Sequence, residues 1–193
     1  SSDLDILGEI AKVWQAEPGK VRQSAEALTT QLQGVQRTSA SFHAPTAAAL
    51  DAIASEFRNQ FDHVHGGFGR APKFPRPSEL LFLLREYARA GNKDARDMVS
   101  VTLRAMALGG MRDHIGGGFH RYSVDEQWRV PHFEKMLYDQ ALLVRTYLEA
   151  YQATHNELYA ALARQVLDYV VSRMTSPEGG FYSDRKSTRL NSS

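Results

Sequence analysis

Three Gly-Gly-Phe triplets, Gly66-Gly67-Phe68, Gly117-Gly118-Phe119 and Gly179-Gly180-Phe181, punctuate the chain. They fall about 50 and about 60 residues apart, within the range of repeated helical hairpins. Each follows a stretch whose apolar residues recur every three or four positions. A glycine pair lets the backbone reverse at positive φ, and the aromatic after it can plug the loop into a core. The unit is therefore helix, loop, helix, and such units need neighbours to cover their apolar faces. An all-α array of about two and a half hairpins is expected.

The spacing predicts where the helices lie. Leu4, Leu7, Ile10 and Trp14 form one apolar stripe, broken at Pro18-Gly19, and Val21, Ala25, Leu28 and Leu32 form another that stops at Gly34. Val35 to Pro45 is Ser-rich and aperiodic, and reads as a linker. Beyond it, Leu50, Ile53, Phe57 and Phe61 mark a helix, and the next is expected to open with Ser78 as N-cap and to end near Gly91. Its run Leu80–Leu84 is apolar on every side, which suits a buried helix. A third spans about Asp94 to Leu108. A fourth is expected from just after Pro131, and a fifth uses Leu158, Leu162, Val166 and Val170. No alternation lasts long enough to predict a sheet.

Composition removes several functions. With 23 basic and 22 acidic residues the net charge is +1, so no basic footprint for nucleic acid or an anionic membrane exists. No apolar run approaches the ~20 residues of a membrane span, and Ser1-Ser2-Asp3-Leu4 has no basic or apolar signal-peptide region. The absence of cysteine excludes disulfides, thiolate catalysis and cysteine-bound zinc, and fits a reducing, cytoplasmic setting. His63-Val64-His65 has no metal-site spacing, and Gly116–Gly118 lacks the Lys-Ser/Thr of a phosphate loop. No metal or cofactor is expected.

Potential chemistry concentrates between Asp113 and Asp139. On a helix starting near His132, His132, Lys135 and Asp139 would share one edge and Glu134 and Tyr138 the other, with Phe133, Leu137 and Val144 buried between them. A near-neutral histidine suits a general base and a desolvated carboxyl a general acid. Phe119, Tyr122 and Trp128 offer flat faces for a sugar ring, and Arg121 offers fixed donors. Lys73, in the stiff turn Gly69-Arg70-Ala71-Pro72-Lys73-Phe74-Pro75, could face the same cavity. Each residue also has a plain structural reading, as cap, ion pair or core plug.

The stretches Gly66-Gly67-Phe68-Gly69 with Ala71-Pro72-Lys73-Phe74-Pro75, then Gly116–Asp125, Trp128 and Val130–Ala141, resemble the thioredoxin-domain-containing proteins of the spermatogenesis-associated type. The resemblance runs from about Asp3 to Ser183. It implies an N-terminal thioredoxin-like domain followed by an (α/α)6 toroid similar to N-acylglucosamine 2-epimerases and mannose isomerases. On that mapping residues 1–37 close the thioredoxin-like domain and 38–183 begin the toroid. Residues 184–193, polar and aperiodic where another helix is due, read as a foreign tail. The rest of its own chain at both ends is the expected partner, and a sugar the expected ligand.

The resemblance implies proton transfer beside a carbonyl, with His132 and His120 as candidate bases and Glu134 or Asp139 as acid. Arg121, Tyr122, Trp128, Lys135, Tyr138, Phe119 and Lys73 would bind substrate. A non-catalytic glycan- or protein-binding module, or a scaffold, competes with the enzyme, because fold does not fix function. Half a toroid is expected to be inactive by itself.

Overall fold

The computed structural model describes residues 3–36 and 46–186. The chain divides into two compact units, Ser1–Pro45 and Thr46–Ser193. The first is a hairpin of α1 (Asp3–Ala16) and α2 (Pro18–Gln36), with Pro18 opening the second helix. No residue of α1 is buried. Its stripe of Leu4, Leu7, Ile10 and Trp14 lies open, as do Leu28 and Leu32 of α2. Residues 37–45, which hold most of the expected linker, and 187–193 of the expected tail lie outside the described residues.

The second unit stacks α3 (Ala47–Gln60), α4 (Pro77–Ala90), α5 (Lys93–Leu108), α6 (Leu137–Thr154) and α7 (Glu157–Tyr169), with a π-turn at Val170–Met174 closing α7. Caps explain several boundaries. Thr46, Asn92 and Asn156 accept from backbone amides in the first turns of α3, α5 and α7. The α4 start differs from expectation: Pro77 is the first helical residue, and Arg76, at φ 46°, occupies the cap without a side-chain bond. Proline supplies the helical φ there, so Ser78 lies inside the helix. Gly91, at φ 65°, ends α4 in the left-handed conformation.

Leu80, Leu83 and Leu84 of α4 join Met98, Val99, Leu103 and Met106 of α5 in one core. α6 contributes Leu143 and Tyr147, and α7 contributes Leu162 and Val166. The loop aromatics Phe68 and Phe119 plug into it. Tyr147 Oη donates to the Leu103 carbonyl at 3.0 Å, which satisfies the one polar atom of that fully buried ring.

The helix expected from Pro131 begins instead at Leu137. Ahead of it, β1 (Glu134–Met136) pairs antiparallel with β2 (Asp184–Lys186), in the register Glu134↔Lys186, Lys135↔Arg185 and Met136↔Asp184. The backbone is already committed: Arg121 N–H donates to the Glu134 carbonyl at 2.7 Å, and His132 N–H to the Tyr122 carbonyl at 2.9 Å. These long-range bonds consume groups a helix would use, and three-residue strands are too short to leave an alternation in the sequence. The faces change accordingly. Gln140, Leu143 and Tyr147 are the buried side of α6, and Phe133 is 62% exposed. Among the described residues no helix is long and apolar enough to cross a membrane.

Candidate functional site

The first two Gly-Gly-Phe loops are built alike. Asp62 Oδ1 accepts from the amides of Val64 and His65, both at 2.9 Å, and Asp113 Oδ1 accepts from Ile115 and Gly116 at 3.0 and 2.7 Å. A buried lysine closes each loop. Lys73 Nζ donates to Asp62 Oδ2 at 2.5 Å and to the Gly66 carbonyl at 2.7 Å. Lys135 Nζ donates to Asp113 Oδ2 and to the Gly117 carbonyl, each at 2.7 Å. An aromatic ring seals each glycine pair: a Cβ on Gly67 would lie 2.5 Å from Trp128, and one on Gly118 would lie 2.6 Å from Tyr169. The third loop has Ser176 in place of the aspartate, accepting from Glu178 and Gly180.

The spacing of the closing lysine differs between the two. Lys73 stands five residues after Phe68, and Lys135 sixteen after Phe119. The extra residues run across the loop end of the bundle as two paired strands of chain, 120–123 and 131–134. There Arg121 Nη1 donates to Glu134 Oε2 at 2.8 Å, and His132 Nε2 lies 3.8 Å from the same oxygen. The rings of Tyr122 and His132 stack at 4.7 Å and 7°, and Phe74 from the first loop stacks on Tyr122 at 4.8 Å. His120 meets the edge of Phe133 at 5.2 Å.

His120, Glu134 and Asp139 are buried, whereas Phe74, Phe133 and Tyr138 are exposed beside them. His120 Nδ1, Arg121 Nε and Asp139 Oδ2 are buried with no hydrogen-bond partner. Such orphaned atoms are rare and mark places that a ligand or water completes. Burial, supported by the Glu134 charge and opposed by Arg121, pushes the Asp139 carboxyl up to about 6. Burial, with the Lys135 and His132 charges and against Asp113, pulls the His120 imidazole down to about 4. Near neutral pH the segment thus holds a carboxyl close to its titration point, on Asp139, and an uncharged imidazole, on His120.

Seven expected residues come together: His120, Arg121, Tyr122, His132, Glu134, Tyr138 and Asp139. Phe119, Trp128 and Lys73 sit elsewhere, and Lys135 borders the cluster with its ammonium spent on the second loop. Phe119 is fully buried and stacks on Tyr147 at 5.5 Å. Trp128 is also fully buried, its Nε1 donating to the His65 carbonyl at 3.0 Å. Lys73 and Lys135 hold the loops. A hollow of about 240 Å³ opens where His120, Phe133, Lys135, Tyr169 and Arg173 meet. Sequence reasoning missed Asp62, Asp113 and Gln140. The aspartates recur four residues ahead of the first glycine of each Gly-Gly-Phe triplet, a signal that aligning the two loops reveals.

No family model matches the chain. It is 39% identical over 185 residues to spermatogenesis-associated protein 20 of Homo sapiens, covering 92% of this chain and 24% of that one. The Rattus norvegicus protein of the same name is 38% identical, with 92% and 23% covered. The chain therefore spans about a quarter of the length of these homologues. Among solved structures it resembles a sugar epimerase from a ruminal bacterium, with TM-score 0.63, 16% identity, and 69% of this chain and 37% of that one covered. Cellobiose 2-epimerase from Spirochaeta thermophila gives TM-score 0.62, 21% identity, and 74% and 42% covered. A glycoside hydrolase family 76 mannosidase from Bacteroides thetaiotaomicron gives 0.60, 15%, and 72% and 39%. The shared fold is a partial (α/α)6 toroid.

Proposed function

We propose that this chain is part of a longer thioredoxin-domain-containing protein whose toroid binds a sugar and moves a proton beside its carbonyl, as isomerases and epimerases do. The α1–α2 hairpin would close the upstream domain, and its uncovered apolar stripe is in keeping with that. Native chain following residue 183 in the parent protein, in place of the tail read as foreign, would complete the toroid. By itself this piece is expected to be inactive.

The observation that carries the reading is the set of orphaned buried atoms on His120, Arg121 and Asp139, beside exposed rings at the loop end of a toroid. In the proposed reaction His132 accepts the proton from the carbon next to the sugar carbonyl. Asp139 in its protonated form donates to the carbonyl oxygen, giving an enediol. Isomerisation is completed when a proton returns to the former carbonyl carbon and the hydroxyl on the first carbon gives up its proton. Epimerisation is completed when a proton returns to the other face of the first carbon and the new hydroxyl gives its proton back to Asp139. The buried imidazole of His120, held well below a base's useful range, suits a neutral hydrogen-bond partner better than a proton acceptor. Arg121 holds Glu134, so that carboxylate orients rather than donates.

Thermal unfolding of the intact parent protein against hexoses, N-acyl hexosamines and uronic acids tests the reading. A saturable rise in Tm, lost in His132→Ala, is expected. With the sugar that binds, deuterium from D2O should enter the carbon beside the carbonyl, and Asp139→Asn should stop it. No shift with any sugar overturns both binding and catalysis. A shift without deuterium supports the second reading, a glycan-binding module, which the Phe74–Tyr122–His132 stack favours because a platform of rings needs no acid or base.

A further inference from the structure

Of the two lysine-closed loops, only the second has the candidate site inserted between its phenylalanine and its lysine. Lys135 spends all its donors inside the protein. Two go to Asp113 Oδ2 and the Gly117 carbonyl, and the ammonium faces the Tyr169 ring at 4.6 Å from its centroid. Lys73 does the same with Asp62, Gly66 and Trp128, the ring lying at 5.7 Å, and no candidate site is inserted ahead of it. An arrangement present with and without the site belongs to the loop, not to the ligand. Yet Lys135 also belongs to β1, directly after Glu134, and shares a hollow with His120.

We propose that Lys135 is a positioning residue that contacts no ligand: it ties β1 to the second loop and thereby fixes His120 and Glu134 in the site. The proposal rests on the reading that this cluster is the ligand site. Its consequences are electrostatic as well as geometric. The ammonium stands near His120, together with Asp113 and His132, and Arg173 lines the same hollow, as does Arg185 of the tail read as foreign, which the intact parent protein would lack. Lys135 and His132 favour the neutral imidazole, and Asp113 opposes them.

The test needs no sugar, so it fails or succeeds apart from the functional reading. Exchange of the imidazole C2 proton, followed by mass spectrometry on the intact parent protein, gives a titration midpoint for His120. In Lys135→Gln the midpoint should rise by about 1 pH unit, the lower end of what a neighbouring charge does. Lys135→Arg, which keeps the charge, should leave it in place. Lys73→Gln should lower Tm as Lys135→Gln does but leave His120 unmoved. An unmoved midpoint in Lys135→Gln, or an equal shift in Lys73→Gln, overturns the proposal. A second measurement covers failure of Lys135→Gln to fold. In the wild-type protein an amine-labelling reagent should modify exposed Lys12 and Lys93 and spare Lys135 and Lys73. Labelling of Lys135 at the rate of Lys93 would show a free ammonium and overturn it.

Discussion

Gln140 binds both backbone groups of Phe119. Its Oε1 accepts from the Phe119 N–H at 2.8 Å, and its Nε2 donates to the Phe119 carbonyl at 2.7 Å. The carboxamide is fully buried and acts as a short piece of sheet, fastening the second loop to α6. Gly118 makes room for it, since a Cβ there would come within 3.0 Å of Oε1. Gln140→Leu keeps the volume and leaves two buried backbone groups unpaired, at about 1–3 kcal/mol each. Amide exchange across Gly117–His120 should quicken by about 30-fold or more. Unchanged exchange would mean that Phe119, Asp113 and Lys135 hold the loop without help from Gln140.

Two glycines of the first loop, Gly67 and Gly69, separate strain from crowding. Gly67 and Gly69 both have positive φ, 81° and 73°, but a Cβ on Gly67 meets Trp128 whereas one on Gly69 meets nothing within 4 Å. Gly69→Ala should cost only the left-handed penalty of about 1–2 kcal/mol. Gly67→Ala adds overpacking and should cost about 1–3 kcal/mol more. Equal losses of Tm in the two variants would refute the packing argument.

Trp128 is a bonded plug, with Nε1 donating to the carbonyls of His65 at 3.0 Å and Gly66 at 3.2 Å. Trp128→Phe keeps an aromatic ring but loses the donor. It should destabilise by about 1–3 kcal/mol from the unsatisfied His65 carbonyl together with lost contact area, the Gly66 carbonyl keeping its bond from Lys73. Sugar binding, measured below the melting transition, should survive the change. Loss of binding in a folded Trp128→Phe protein would return the indole to the ligand site.

Asp139 gives a pH dependence with a definite sign. Its carboxyl is raised from 3.8 to about 6 in the fold, burial being the main cause. The folded state therefore binds the proton more tightly. The resulting stability is full below pH 3.8 and is lost as pH rises through about 6. Asp139→Asn removes the titration, so its Tm relative to wild type should improve between pH 4 and pH 7, by the equivalent of roughly 1–3 kcal/mol. A difference that stays flat across that range would show that Asp139 is not desolvated.

Much of the fold was legible because its signals are local. The apolar spacing that marks α3, α5 and α7 needs only residues one or two turns apart, and Thr46, Asn92 and Asn156 supply caps within the same few residues. The start of α6 was not legible. His132–Met136 has a helical pattern of polar and apolar residues, but its backbone pairs with residues 121–122 and 184–186. The candidate site was legible as a segment and not as an arrangement. His120, Arg121, His132 and Glu134 come together through that same pairing, which also exposes Phe133 where a helix would have buried it.

The sequence by itself determined an all-α hairpin array with Gly-Gly-Phe loops, since helix period and glycine's access to positive φ are properties of neighbouring residues. Only the tertiary structure decided which polar side chains are spent and which are left over. Lys73 to Asp62, Lys135 to Asp113 and Trp128 to His65 close contacts across 11, 22 and 63 positions. A lysine with both hydrogen bonds satisfied inside the fold has the same one-letter neighbourhood as one that awaits a ligand. The difference lies in where the distant acceptors arrive, and packing alone sets that.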